Sequence, residues 1–378
     1  MSRPIRVLVV DDAVVIRRSV SKILSEDPEI EVVAVAANGR IALSKLPLAA
    51  PDLVILDMEM PDMDGLQTLA ALSEAQPELP VIMFSAHTER GAAATLKALS
   101  LGAADYVPKP ARIQSPAIAA QCVRDQLIPK IKALCSMTAG FEGSPNVAPR
   151  QSQPAGVPYR AREHAGAPIG LLAIGASTGG PKALESVLDA LPADFPVPTL
   201  IVQHMPPLFT RLLAASLSSG ASVAVREGYA GAALRPGQVW IAPGDAHMMV
   251  ARQGSTVRLQ IHKGPEENSC RPAVDVLFRS VADVYGARAL AVLLTGIGQD
   301  GLRGCERIRE AGGRVYVQDA TTSVVWGMPG FVANAGLAHR ILPLAELSAE
   351  IAHEVMASRA TGAGAVAAGD KARQQACR

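Results

Sequence analysis

No apolar run in these 378 residues approaches the roughly 18 needed to span a bilayer. The N-terminus has no charged segment leading into an apolar core and a cleavage site, so a cytoplasmic protein with no direct membrane insertion is expected. Cysteine is scarce. The five present, Cys122, Cys135, Cys270, Cys305 and Cys377, are odd in number, widely spaced and never in a CxxC pair. That spacing speaks against a disulfide framework, a zinc site or a redox couple, and five free thiols are expected. A dominant charge is missing too: the net charge is +1, with an acidic excess in the first 110 residues and a basic excess in the rest. Neither part shows the concentrated basic face or short helix-turn-helix of a DNA-binding domain, so no nucleic-acid partner is expected.

What is present is ordinary globular composition, 49% hydrophobic and 19% charged, in a chain long enough for two cores. Residues 5–10, 31–36, 53–56, 81–85 and 105–107 read as short buried strands separated by amphipathic helical stretches, which predicts a five-stranded, doubly wound parallel sheet. Ser115-Pro116 has helix-start chemistry, and Ile118, Val123, Leu127 and Ile131 continue an apolar stripe that Pro129 should kink. Periodicity then gives way to Pro, Gly, Ala, Ser and Gln, a composition too poor in apolar residues to fold alone. A second alternation follows, with strands at 171–174, 199–203, 239–242, 289–294 and 314–317 and helices at 181–190, 208–217, 274–284 and 302–311. The expected organisation is an α/β domain with its exit helix over 1–135, a flexible linker over 136–167, a second α/β domain over 168–357 and a disordered tail over 358–378.

Asp11 and Asp12 follow the first strand and Asp57 ends the third, so all three carboxylates reach the carboxyl edge where α/β sheets place their sites. Three anions so close require a positive partner, and oxygen-only ligands suit Mg²⁺. Ser85 after the fourth strand and Lys109 after the fifth bring a hydroxyl and a cation to the same edge. These are the parts a carboxylate needs to accept a phosphoryl group. The plainer alternative, aspartates acting as helix caps and turn residues, accounts for Asp12 or Asp64 singly but not for the set.

The strings Val9-Val10-Asp11-Asp12, Leu56-Asp57-Met58-Glu59-Met60-Pro61 with Asp64-Gly65, Ser85-Ala86 and Lys109-Pro110 resemble the response-regulator receiver pattern in order and spacing. The resemblance implies a flavodoxin-like fold with Asp57 as phosphoacceptor. It implies Mg²⁺ on Asp12, Asp57 and the Glu59 carbonyl, Asp11 assisting through water, and Ser85 and Lys109 holding the phosphoryl group. Tyr106 falls at the family's switch aromatic, against the alternative of a core tyrosine with a wet tip. In the family Lys109-Pro110 is a cis peptide.

Gly175-Ala176-Ser177-Thr178-Gly179-Gly180 lies between a strand and a helix opened by Pro181, which puts Ser177 on a tight turn whose backbone N–H groups can stabilise an oxyanion. A phosphate cradle and the nucleophile elbow of α/β-hydrolases also fit that string. A dinucleotide fold wants an acidic residue after the next strand, which instead runs into His204, and the hydrolase order wants its histidine near the C-terminus. Asp300, in Thr295-Gly296-Ile297-Gly298-Gln299-Asp300-Gly301, ends a third strand-to-helix turn, where capping is the alternative. Three strand ends bearing nucleophile, base and carboxylate make a triad plausible.

Residues 168–355 resemble the catalytic domain of chemotaxis protein-glutamate methylesterases. The resemblance rests on the Ser177 string, Gln203-His204-Met205-Pro206, Ile241-Ala242-Pro243-Gly244, Arg271-Pro272-Ala273-Val274-Asp275, Leu294 to Gly301 and Ser323 to Pro329. It implies a Rossmann-like doubly wound domain with Ser177, His204 and Asp300 as catalytic triad, an oxyanion contribution from the Thr178 region and no cofactor in that domain. It further implies hydrolysis of glutamate γ-methyl esters and deamidation of particular glutamines on methyl-accepting chemotaxis receptors, by a monomer. The receiver near Tyr106 would cover the active site until a histidine kinase phosphorylates Asp57. Ile297 departs from the family's usual methionine, which bears on rate or substrate choice. The rivals are a non-catalytic adaptor and a hydrolase of another protein ester or amide.

Overall fold

A computed structural model describes residues 3–86, 88–109, 116–138 and 167–359, and the chain divides into two compact units, Met1–Gln153 and Pro154–Arg378. In the first unit the elements alternate as β1 (Ile5–Val10), α1 (Val14–Leu24), β2 (Ile30–Ala36), α2 (Gly39–Ala49), β3 (Leu53–Asp57), α3 (Gly65–Ala75), β4 (Val81–Ser85), α4 (Glu89–Ser100), β5 (Asp105–Pro108) and α5 (Pro116–Thr138). The strands pair in parallel in the order β2-β1-β3-β4-β5. From β1 the chain first adds β2 on one side and then crosses to β3 on the other, so the ends of β1 and β3 flank the switch point where such sheets bind ligands.

Local chemistry agrees with this layout. All five residues of β3 are buried, as a strand covered by helices on both faces must be. Asn38 and Thr88 cap α2 and α4, and Asp64 forms a reciprocal capping box with Gln67 at the start of α3. The helix α5 runs through Pro129 and past the expected boundary to Thr138. Pro110, most of the expected linker and nearly all of the expected tail lie outside the described residues, and with Pro110 the question of a cis bond at Lys109.

The second unit contains β6 (Leu171–Ala176), α6 (Gly180–Asp189), β7 (Thr199–Gln203), α7 (Pro207–Gly220), β8 (Ala224–Glu227), β9 (Gln238–Ile241), β10 (His247–Gln253), β11 (Thr256–His262), α8 (Val274–Tyr285), β12 (Ala289–Leu293), α9 (Leu302–Glu310), β13 (Arg314–Gln318), α10 (Met328–Asn334), β14 (Arg340–Leu342) and a last helix, α11, over 344–359. Seven strands form one sheet in the order β14-β13-β12-β6-β7-β9-β8, every pair parallel, while β10 and β11 make a separate antiparallel hairpin. The connection after β6 leads one way and that after β12 the other, which puts the switch point between these two strands.

Strand residues Leu171, Ala173, Leu200 and Leu293 share a buried cluster with Val274, Leu277, Phe278 and Val281 of α8. A buried side chain such as Phe278 contributes about 1.5–3 kcal/mol, enough to anchor the helix whose first turn reaches the sheet's carboxyl edge. Both doubly wound parallel sheets expected from the sequence are therefore observed. Strands β8 and β14, the hairpin and the helices α10 and α11 are additions to the expected elements.

Candidate active site

In the first unit, Asp11, Asp12 and Asp57 bring carboxylate oxygens within 4.8 Å of one another. Asp11 and Asp57 are buried and Asp12 is exposed. Lys109 Nζ lies 2.7 Å from both Asp11 Oδ2 and Asp57 Oδ1. Burial pushes the Asp57 carboxyl up to about 6, with the neighbouring Lys109 only partly restraining it. Burial works to discharge Lys109 as well, but hydrogen bonds to Asp11 and Asp57 win and hold it above the usual lysine range. Among the described residues Asp11 Oδ2 has no partner besides Lys109. An under-satisfied buried oxygen in an all-oxygen donor set fits a hard divalent cation.

Glu59 N–H reaches Asp57 Oδ1 at 3.5 Å, so the turn after β3 folds back over the carboxylate. The Ser85 hydroxyl donates to Gly91 O at 3.1 Å, turned towards α4 in this state. Tyr106 is buried, with Lys130 Nζ 5.3 Å from its ring centre; burial raises its phenol well above the ordinary value.

In the second unit, the register of β6 and β7 pairs Ala176 with Gln203, so the next residues, Ser177 and His204, leave neighbouring strand ends side by side. His204 N–H donates to Ala176 O at 3.1 Å and the Gln203 side-chain amide to Ser177 O at 2.9 Å, which ties the two turns together. The Ser177 N–H donates to Thr295 O at 3.0 Å and brings in the turn after β12. A Cβ at Gly296 would lie 2.8 Å from Ser177 Cβ, so only glycine lets these turns approach so closely. Gly179, at φ 76°, closes the serine turn onto α6, and Thr178 is buried with its carbonyl accepting from Thr295 Oγ1 at 2.9 Å.

His204 Nε2 and Asp300 Oδ2 are 2.8 Å apart. Asp300 is 2% exposed yet richly supplied with donors: Val274 N–H at 2.6 Å on Oδ2, and Asp275 N–H, Gly301 N–H and the Asn268 side-chain amide, each at 3.0 Å, on Oδ1. The capping alternative is thus half true. Asp300 caps a helix, but it is α8 across the site, not the α9 that follows it in sequence. Burial alone would raise the Asp300 carboxyl; the His204 bond and the amides of the α8 start outweigh it and hold the group below the ordinary value. For His204 burial opposes the charge, and the bonds to Asp300 and to Cys270 reverse the sign, leaving the imidazole above its ordinary value.

Sequence reasoning missed three groups here. Asn268 donates to both Asp275 and Asp300, Asp275 is buried and accepts from Gly304 N–H at 2.6 Å, and Cys270 Sγ sits 3.6 Å from His204 Nδ1. The nearby string from Arg271 to Asp275 was visible, but nothing in its spacing tells that its residues fold back onto Asp300. Ile297 is half-buried at the turn between Gly296 and Gly298.

The two units thus pair an acidic phosphoacceptor-type edge with a serine-histidine-aspartate edge, the layout of a regulated hydrolase. The sequence model described as CheB methylesterase matches residues 172–351, and that of the response regulator receiver domain matches 7–118. A protein-glutamate methylesterase/protein-glutamine glutaminase of Trichodesmium erythraeum is 51% identical over 353 residues, covering 93% of this chain and 99% of its own. One from a Nocardioides species is 50% identical over 361 residues, covering 94% and 96%. The crystal structure of the Thermotoga maritima CheB methylesterase catalytic domain is 39% identical and covers 49% of this chain and 98% of its own, with a TM-score of 0.48. The chain belongs to the protein-glutamate methylesterase/protein-glutamine glutaminase family.

Proposed function

We propose that this chain removes methyl groups, as methanol, from glutamate γ-methyl esters of methyl-accepting chemotaxis receptors and deamidates particular glutamines there, under control of its phosphorylated receiver. Ser177 Oγ attacks the ester carbonyl while His204 takes its proton. The tetrahedral oxyanion is stabilised by backbone N–H groups at the start of α6, in the Thr178 region. Collapse of that intermediate breaks the acyl–oxygen bond of the ester, or the acyl–nitrogen bond of the glutamine amide, and His204 gives its proton to the departing oxygen or nitrogen, releasing methanol or ammonia. Water, deprotonated by the same imidazole, then frees the glutamate and Ser177. Asp300 fixes the ring and supports its charge throughout.

The observation that carries this reading is the ring pair: an imidazole just after β7, held 2.8 Å from a saturated carboxylate in the turn between β12 and α9, beside the serine turn of β6. His204 faces Asp300 and Cys270 in this state, so the Ser177 approach belongs to the substrate complex.

In the receiver, Asp57 accepts the phosphoryl group from a histidine kinase, with Lys109 and Ser85 holding its oxygens; Ser85 must leave Gly91 O to do so. Asp12, Asp57 and the Glu59 carbonyl would hold Mg²⁺, with Asp11 behind a water, and the ion would neutralise the phosphoryl charge. Tyr106 follows the rotation of Ser85, and the unphosphorylated receiver restrains the hydrolase. Domain limits of 1–135, 168–357 and an intervening linker complete the reading.

The test is methanol release from a methyl-esterified receptor signalling domain, with and without Mg²⁺ and a small phosphodonor, beside Ser177→Ala. Release that needs Ser177 and rises with phosphodonor supports both halves. Release indifferent to phosphodonor keeps the hydrolase and removes the control; no release with Asp57 phosphorylated points to another substrate or to a non-catalytic adaptor.

A further inference from the structure

Hydrolysis makes no use of the thiol beside the imidazole. Of the described cysteines, Cys135 and Cys305 are buried, whereas Cys270 is half-buried at the candidate active site with Sγ 3.6 Å from His204 Nδ1. Nε2 of the same ring is committed to Asp300, so in the neutral ring the proton sits on Nε2 and the Nδ1 lone pair faces the sulfur. A tetrahedral zinc ion, with bonds of about 2.3 Å to sulfur and about 2.0–2.1 Å to nitrogen, holds two such donors about 3.5 Å apart. The 3.6 Å found, a hydrogen-bond contact in this state, matches that separation. The bond from the far ring nitrogen to a carboxylate is also what metal-bound histidines use to fix ring and tautomer.

The sulfur is held in place by the loop that carries it. Glu267 and Cys270 exchange backbone hydrogen bonds of 3.2 and 2.9 Å, and Arg279 grips both oxygens of Glu267 at 2.6 and 2.7 Å. Asn268 and Ser269 are left-handed, at φ 53° and 58°, a conformation stabilised here by the Asn268 amide bridging Asp275 and Asp300. Asp300 already accepts bonds on both oxygens and serves as the outer partner. The His204 side chain is 13% exposed and Cys270 is half-buried, which leaves the remaining metal positions to water.

We propose that His204 Nδ1 and Cys270 Sγ form a binding site for a soft divalent cation, zinc foremost, that turns the hydrolase off by taking the lone pair the general base needs. Binding releases the thiol proton, and from a charged ring the Nδ1 proton as well, to solvent and leaves Ser177 without a proton acceptor. The inhibitory consequence rests on the triad reading; the binding itself does not.

The full chain, with Mg²⁺ and phosphodonor saturating, is titrated with Zn²⁺ while methanol release is followed, for wild type and Cys270→Ser, each against its own metal-free rate. Zn²⁺ is expected to inhibit wild type, and Cys270→Ser to weaken that inhibition by at least about tenfold. Inhibition equal in both, or none in wild type, overturns the proposal. A Co²⁺ titration supplies a readout independent of turnover: a thiolate-to-cobalt charge-transfer band in wild type, lost in Cys270→Ser, supports the site. No band in wild type, or the same band in both, overturns it. A protein that shows the band but releases no methanol keeps the metal site and removes the hydrolase reading.

Discussion

Asp57 and Asp300 are both buried aspartates near the carboxyl ends of parallel strands beside a switch point, and their acidities move in opposite directions. Burial acts the same way on each, so the difference lies in the donors. Asp57 has one ammonium and a long 3.5 Å contact from Glu59 N–H, and its carboxyl rises to about 6. Asp300 has His204, three backbone amides and the Asn268 side chain, and falls below the ordinary value. A sparsely bonded carboxylate keeps lone pairs free for a new covalent bond; a saturated one is spent on orientation. One fold principle thus yields a sparsely bonded carboxylate in one unit and a fixed anion in the other.

Replacing the saturated member should cost most. Asp300→Asn keeps the shape but reverses the hydrogen-bond polarity towards His204, and kcat for methanol release is expected to fall by about 10⁴. Asp57→Asn, by contrast, should leave phosphodonor-free release intact and abolish its stimulation; if both substitutions merely removed stimulation, the contrast between the two aspartates would collapse.

Removing one donor from Asp300 is a gentler probe. Asn268→Ala is expected to lower kcat by about tenfold with KM nearly unchanged, and Asn268→Asp, which puts a third anion against Asp275 and Asp300, should lower it further. Equal effects from both would mean that the loop's shape matters and the amide's charge pattern does not.

The pH profile reads the same pair. The folded His204 pKa lies above the ordinary value, so the free base appears only as pH rises through that raised value, and kcat/KM should climb on an arm alkaline of an ordinary histidine. By the same sign, the stability this pair contributes is present below the ordinary histidine value and is lost as pH rises through the folded one. An arm at the ordinary position would show the imidazole to be free of Asp300.

The smallest effect is expected on the receiver side. Asp64→Ala removes the capping box at the start of α3 and should cost about 1 kcal/mol in receiver unfolding, while release without phosphodonor stays level.

The alternation of buried runs showed both sheets in the sequence because strands covered on both faces have no polar residues to interrupt them, as in β3, β6 and β7. Residues that end such strands, Asp57, Ser85, Ser177 and His204, could be placed on the edge for the same reason. The hairpin of β10 and β11 escaped because His247 to Gln253 mixes buried and exposed positions without a regular alternation, although its two-residue turn Gly254-Ser255, with Gly254 at φ 61°, was a legible signal. Strand β8 and helix α10 are too short for a period to emerge. Asn268, Cys270 and Asp275 were out of reach in another way. Their partners across the site lie 29 to 66 positions away, and only the return of the chain from the hairpin to α8 brings them together.

Most of what holds Asp300 is main chain: the amides of Val274, Asp275 and Gly301. Amides survive almost any substitution at their own position, so the environment of this acid is insulated from mutational drift in a way the Lys109 contact of Asp57 is not. A library randomised at residue 274 should therefore retain the acid's low protonation far more often than one randomised at 109 retains phosphoryl acceptance.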